Sequence, residues 1–65
     1  MSKEEFIQAF QQQYGGYICV SNEVVGEYYN NYYQGFQKKG FNDDCILDFC
    51  QDFILSQDLV EEVVE

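Results

Sequence analysis

The 65-residue chain contains no histidine, arginine, proline or tryptophan, and its only basic side chains are Lys3, Lys38 and Lys39. Each absence removes a class of function. Without histidine no Cys-His or Ser-His pair can generate a nucleophile, and without arginine no guanidinium fork can clamp an anionic substrate. Three lysines are too few to neutralise a phosphate backbone, the main source of affinity in direct nucleic-acid binding. An anionic membrane surface would repel the chain for the same reason. No apolar run approaches the ~18 residues of a membrane span. The start Met1-Ser2-Lys3-Glu4-Glu5 has no apolar segment behind a basic one, so the expected location is cytoplasmic. Three cysteines, Cys19, Cys45 and Cys50, are an odd number and do not form a disulfide framework; the expectation is buried thiols in a reducing compartment.

What remains is acidic and aromatic. Twelve Asp and Glu give a net charge of −9, yet 46% of the residues are apolar and six Tyr and six Phe are present. An acidic disordered tail has few aromatics, so this chain is expected to fold. Its length suits one domain, residues 1–65, and a core this small supplies only ~3–5 kcal/mol, which leaves room for support from a partner or a second copy.

The patterns are helical. Ser2 and Glu5 have capping-box spacing, and Phe6, Ile7, Phe10 and Tyr14 then share a face until Gly15-Gly16. Residues 17–20, Tyr-Ile-Cys-Val, form a β-favouring run that is either an extended connector or one brief strand. Ser21 or Asn22 caps a second helix in which Val24, Val25, Tyr28, Tyr29, Tyr32, Tyr33 and Phe36 fill one half-circle, and Gly40 stops it. A third helix starts at Asn42 or Asp43. Its apolar face is Cys45, Ile46, Phe49, Cys50, Phe53 and Ile54, and Asp44, Asp48 and Asp52 recur at i, i+4, i+8 elsewhere on its surface. Asp58 and Glu61 suggest a separate cap for a short tail helix carrying Leu59, Val60, Val63 and Val64. The expected fold is an all-α bundle of three or four helices.

Chemistry finds little purchase in this pattern. The carboxylates lie on solvent faces, where they stay ionised, rather than in a pocket that would split them into acid and base, so the chain is expected not to be an enzyme. Asn42, Asp43, Asp44 and Asp48 lack the alternating spacing of a calcium loop, the cysteines lack zinc-ligand spacing, and no cofactor is implied. The tyrosine arc packs mainly against its neighbouring helices, but it is wider than one helix pair covers. Its flanking Tyr29 and Tyr33 are the candidate exposed contacts, with Tyr17 as a further one.

Charge is unevenly placed. Residues 1–39 carry net −1, whereas residues 40–65 carry eight acids and no base, net −8. Asp44, Asp48 and Asp52 recur about every 6 Å along a helix, a spacing on the scale of a nucleic-acid backbone. Like charges at i,i+4 cost a few tenths of a kcal/mol per pair, which a merely structural helix avoids with Lys or Gln; the competing explanation is that the acids only keep an aromatic-rich chain soluble.

In size and acidity the chain resembles the small inhibitors with which phages and mobile elements occlude nucleic-acid-handling enzymes, the anti-CRISPR and anti-restriction proteins. The resemblance is one of composition. It implies a protein partner with a basic surface, contacted by Asp44, Asp48, Asp52, Asp58, Glu61 and Glu62 in place of phosphates and by Tyr29 and Tyr33 as apolar anchors. The alternative is a helical adaptor or structural subunit that docks or forms a homodimer through its Tyr-rich face, with the acids solubilising.

Overall fold

The computed structural model describes residues 1–57, and these form an up-down-up bundle of helices. Helix α1 spans Lys3–Tyr14, helix α2 Asn22–Tyr28, helix α3 Gln34–Lys38 and helix α4 Asp43–Ser56. A π-helical turn, Tyr29–Tyr33, joins α2 to α3 without a break, so residues 22–38 make one continuous rod. No strand occurs among the described residues, and no helix there is long and apolar enough to cross a membrane. The tail residues 58–65, including Asp58, Glu61, Glu62 and the valines, lie outside the described residues.

Local signals in the sequence set the helix ends. Ser2 and Glu5 form the complete capping box: the Ser2 Oγ accepts from Glu5 N–H at 3.2 Å, and a Glu5 carboxylate oxygen accepts from Ser2 N–H at 3.0 Å. The bond from Ser2 N–H favours the ionised carboxylate and is the first cause that lowers the Glu5 pKa below its ordinary value. Ser21 caps α2 and Asn42 caps α4, each accepting a backbone N–H three residues on. The second rod ends at Gly40, whose φ of +93° lies in the left-handed region that only glycine adopts without strain.

Residues 17–20 are a connector rather than a strand. Ile18 and Val20 are buried while Cys19 between them is exposed, the alternation of extended backbone. Gln11 fastens this segment to α1, its Nε2 donating to the Val20 carbonyl at 2.9 Å and to Asn22 Oδ1 at 3.1 Å. Gly26 faces α1 across a tight contact; a Cβ there would lie 2.8 Å from Lys3 Cε and 3.3 Å from Ile7 Cδ1.

The core gathers inward residues from α1, the connector, α2, the π turn and α4: Phe6 and Phe10, Ile18 and Val20, Val25, Tyr28 and Tyr33, and Ile46, Leu47, Cys50 and Ile54; α3 buries none. Two positions on α4 differ from the expected apolar face. Leu47 is fully buried and Cys45 is exposed, because the buried arc of α4 is centred on Cys50 and extends toward Leu47 and Ile54. Of the three thiols only Cys50 is buried; Cys19 and Cys45 face solvent, which corrects the expectation of three buried cysteines.

The π turn has the largest consequence for the fold. An i→i+5 turn takes up about one residue more than an α turn, so the side chains beyond it are rotated back relative to a regular helix. Tyr33 thereby swings from the flank of the arc into the centre of the core, 2% exposed, and Tyr32 moves out to 41% exposed. Tyr29 and Tyr33 stack on each other at 4.5 Å, and Phe6 packs against both, ring centroids 5.4 and 5.7 Å away.

Candidate functional surfaces

The acidic row forms as its spacing predicts. Asp44, Asp48 and Asp52 are all exposed on α4, one helical turn apart, and none forms an ion pair among the described residues. The four-residue interval places them ~6 Å apart along the axis. Asp44 also sits in the first turn of α4, where the helix dipole favours a negative charge. The field of the row reaches its neighbours: burial first, then the Asp48 carboxylate, raises the Tyr14 phenol above its ordinary pKa.

Asp43 belongs to a different constellation. The Tyr33 hydroxyl donates to its Oδ1 at 2.7 Å, and the Met1 amino group donates to the Tyr33 oxygen at 2.6 Å and lies 4.0 Å from Asp43 Oδ2. Tyr29 completes the node by donating its hydroxyl to the Met1 carbonyl at 2.7 Å. Burial, reinforced by the Asp43 hydrogen bond and charge, pushes the Tyr33 phenol up to about 12.

This node corrects the expectation that Tyr29 and Tyr33 are exposed anchors. Both hydroxyls are used internally, Tyr33 is buried and Tyr29 is half-buried against Phe6. The helical wheel misplaced them because it assumed 100° per residue through a turn that is not α-helical. Tyr17, the further candidate, is 76% exposed, with its hydroxyl on the Gln13 carbonyl at 2.6 Å.

Apart from Tyr17, the aromatics that reach the surface belong to a seam between the second rod and α4. Phe53 packs on Tyr28 and Tyr32 with centroids 5.3 and 5.6 Å away, Tyr32 leads to Phe36 at 6.4 Å, and Phe36, Phe41 and Phe49 close a second cluster at 5.1–5.9 Å. Tyr32 and Phe41 are the exposed members. Phe41 follows Gly40 outside any helix, so no periodicity in the sequence marks it. Tyr32 lies within the aromatic half-circle, and only the π turn distinguishes it from its neighbours.

At the Phe53 end the seam opens into a groove of about 370 Å³, with Tyr28, Tyr32 and Phe53 forming its aromatic wall and Glu23, Glu27 and Asn31 its polar side. Burial, then the neighbouring Cys50 and Tyr32, pushes the Tyr28 phenol up to about 12. Among the described residues no group of three or more His, Cys, Asp or Glu is arranged to hold a metal ion. Two surfaces therefore stand out, a carboxylate row and an aromatic seam, and both suit recognition of another molecule. No protein-family model, curated protein or solved structure matches the chain.

Proposed function

We propose that the protein is a non-catalytic acidic binding protein that occludes the basic nucleic-acid-binding surface of a nucleic-acid-processing or defence enzyme, in the manner of anti-restriction and anti-CRISPR inhibitors. The observation that carries this reading is the row Asp44, Asp48 and Asp52, exposed and unpaired with any base among the described residues. A basic groove shaped for a phosphate backbone attracts such a row at long range, which raises the association rate in a salt-dependent way. Short-range affinity comes from exposed aromatics; with Tyr29 and Tyr33 engaged internally, that role passes to Tyr32 and Phe41. The acids Asp58, Glu61 and Glu62 add the same sign of charge from the tail.

The test is competition. A partner captured at low salt from the cells that express the protein is loaded with its nucleic acid, and the wild-type protein is expected to displace it. The triple variant Asp44→Lys, Asp48→Lys, Asp52→Lys is expected to leave the nucleic acid in place. Equal displacement by the reversed variant refutes the reading.

The aromatic seam favours a second reading, a helical adaptor or structural subunit that docks through Tyr32, Phe36 and Phe41, with the carboxylates solubilising. It predicts that Tyr32→Ala and Phe41→Ala abolish partner binding while charge reversal on α4 leaves it intact.

A further inference from the structure

The groove beside Phe53 combines three properties that are separate elsewhere on the molecule. Its wall is a triangle of rings, Tyr28, Tyr32 and Phe53, whose centroids lie 4.8–5.6 Å apart. Its edge carries Glu23 and Glu27, one helical turn apart and both exposed, and neither meets a cation within ion-pairing distance among the described residues. Tyr28 lines it, a residue only 5% exposed whose hydroxyl makes no hydrogen bond to the protein among the described residues and is open to solvent.

Anions at the edge of an aromatic wall select a cation that also has a flat apolar face. A guanidinium meets both conditions. It stacks on aromatic rings, it is weakly hydrated and so loses little on leaving water, and its five N–H groups have acceptors here in the two carboxylates, the Tyr28 oxygen and the Asn31 side chain. An ammonium is a point charge with a tighter hydration shell and gains less from the rings. Charge also argues against the chain's own last residues as occupant, because residues 58–65 carry Asp58, Glu61, Glu62 and Glu65 and no base.

We propose that this groove is a binding site for an arginine side chain of a partner protein, with the guanidinium stacked on Tyr32 and Phe53 and its charge met by Glu23 and Glu27. The site lies where the second rod meets Phe53 of α4 and uses none of the carboxylates of Asp44, Asp48 and Asp52, so either reading can fail alone.

The test uses the full chain and a blocked tripeptide, acetyl-Gly-Arg-Gly-amide, titrated by NMR. Its counterparts carry citrulline, an uncharged isostere, or leucine at the centre. The expected result is chemical-shift change centred on Glu23, Glu27, Tyr28, Asn31 and Tyr32, with affinity falling about tenfold for citrulline and for the double variant Glu23→Gln, Glu27→Gln. The variant Asp44→Asn, Asp48→Asn, Asp52→Asn should bind the arginine peptide at the same groove with little change. Equal binding of the citrulline or leucine peptide would assign the groove to an apolar segment and overturn the proposal. So would shifts confined to α4, or none at the solubility limit. Both altered positions of the glutamine variant are exposed, and an unchanged far-ultraviolet spectrum separates loss of binding from loss of fold.

Discussion

The Tyr33 hydroxyl donates a 2.7 Å hydrogen bond to Asp43 Oδ1, tying the π turn of the second rod to the first residue of α4. The same oxygen accepts from the Met1 amino group, so one buried phenol links α1, the second rod and α4. Tyr33→Phe keeps the ring and its packing on Phe6 but leaves the Asp43 carboxylate and the amino group without their shared partner. The expected cost is about 1–3 kcal/mol, seen as a lower urea midpoint with an unchanged slope. An unchanged midpoint would show that the node contributes nothing to stability.

High pH should unfold the protein through three groups. The phenols of Tyr28 and Tyr33 are raised from 10.0, and the Cys50 thiol from 9.0, each to about 12, and in all three burial is the first cause. Each is neutral when protonated and has a higher pKa folded than unfolded, so the unfolded chain releases protons first as pH rises. Their contribution is complete below about pH 9 and is lost progressively toward pH 12. Tyrosinate absorbance and helical circular dichroism should therefore change together in that interval. Ionisation of all six phenols with the helix signal intact would contradict it.

Asp48→Lys should stabilise the fold and weaken the proposed function. It replaces two like-charge i,i+4 neighbours, Asp44 and Asp52, with two opposite-charge ones, for a gain of about 0.5–1 kcal/mol at low salt. If the row mimics a phosphate backbone, the same change lowers partner affinity. A variant that is more stable and binds as well as wild type would assign the row to solubility alone.

Two glycines should respond in opposite directions. Gly35 lies in α3, and a methyl group added to its Cα would meet nothing within 4 Å, so Gly35→Ala should gain about 0.5–1 kcal/mol. Gly40, at φ +93°, should lose about 1 kcal/mol or more on the same substitution. Thermal melts of the two variants against wild type provide the check.

Much of the bundle was legible because it is written in local signals. Ser2 with Glu5, Ser21, Asn42 and Gly40 mark helix ends by chemistry that acts over three or four residues. Asp44, Asp48 and Asp52 were legible because exposure on a regular helix follows from spacing alone. The tyrosines were not. Whether Tyr32 or Tyr33 enters the core depends on a π turn that no residue in Tyr29–Tyr33 announces, and that turn is stabilised from afar by Phe6, Met1 and Asp43. Likewise Leu47 and Cys45 exchange places because the buried arc of α4 is set by the helices it packs against. The groove joins Glu23 and Glu27 to Phe53 across a gap of some 26–30 residues in sequence, beyond the reach of any local pattern.

The unequal setting of the three thiols turns the chain into its own stopwatch. Cys19 and Cys45 are open to a thiol reagent in the folded protein, while Cys50 is sealed in the core and kept protonated there. Two labels should attach at once and the third only when the bundle opens, so the slow phase of modification measures the frequency of global opening under native conditions.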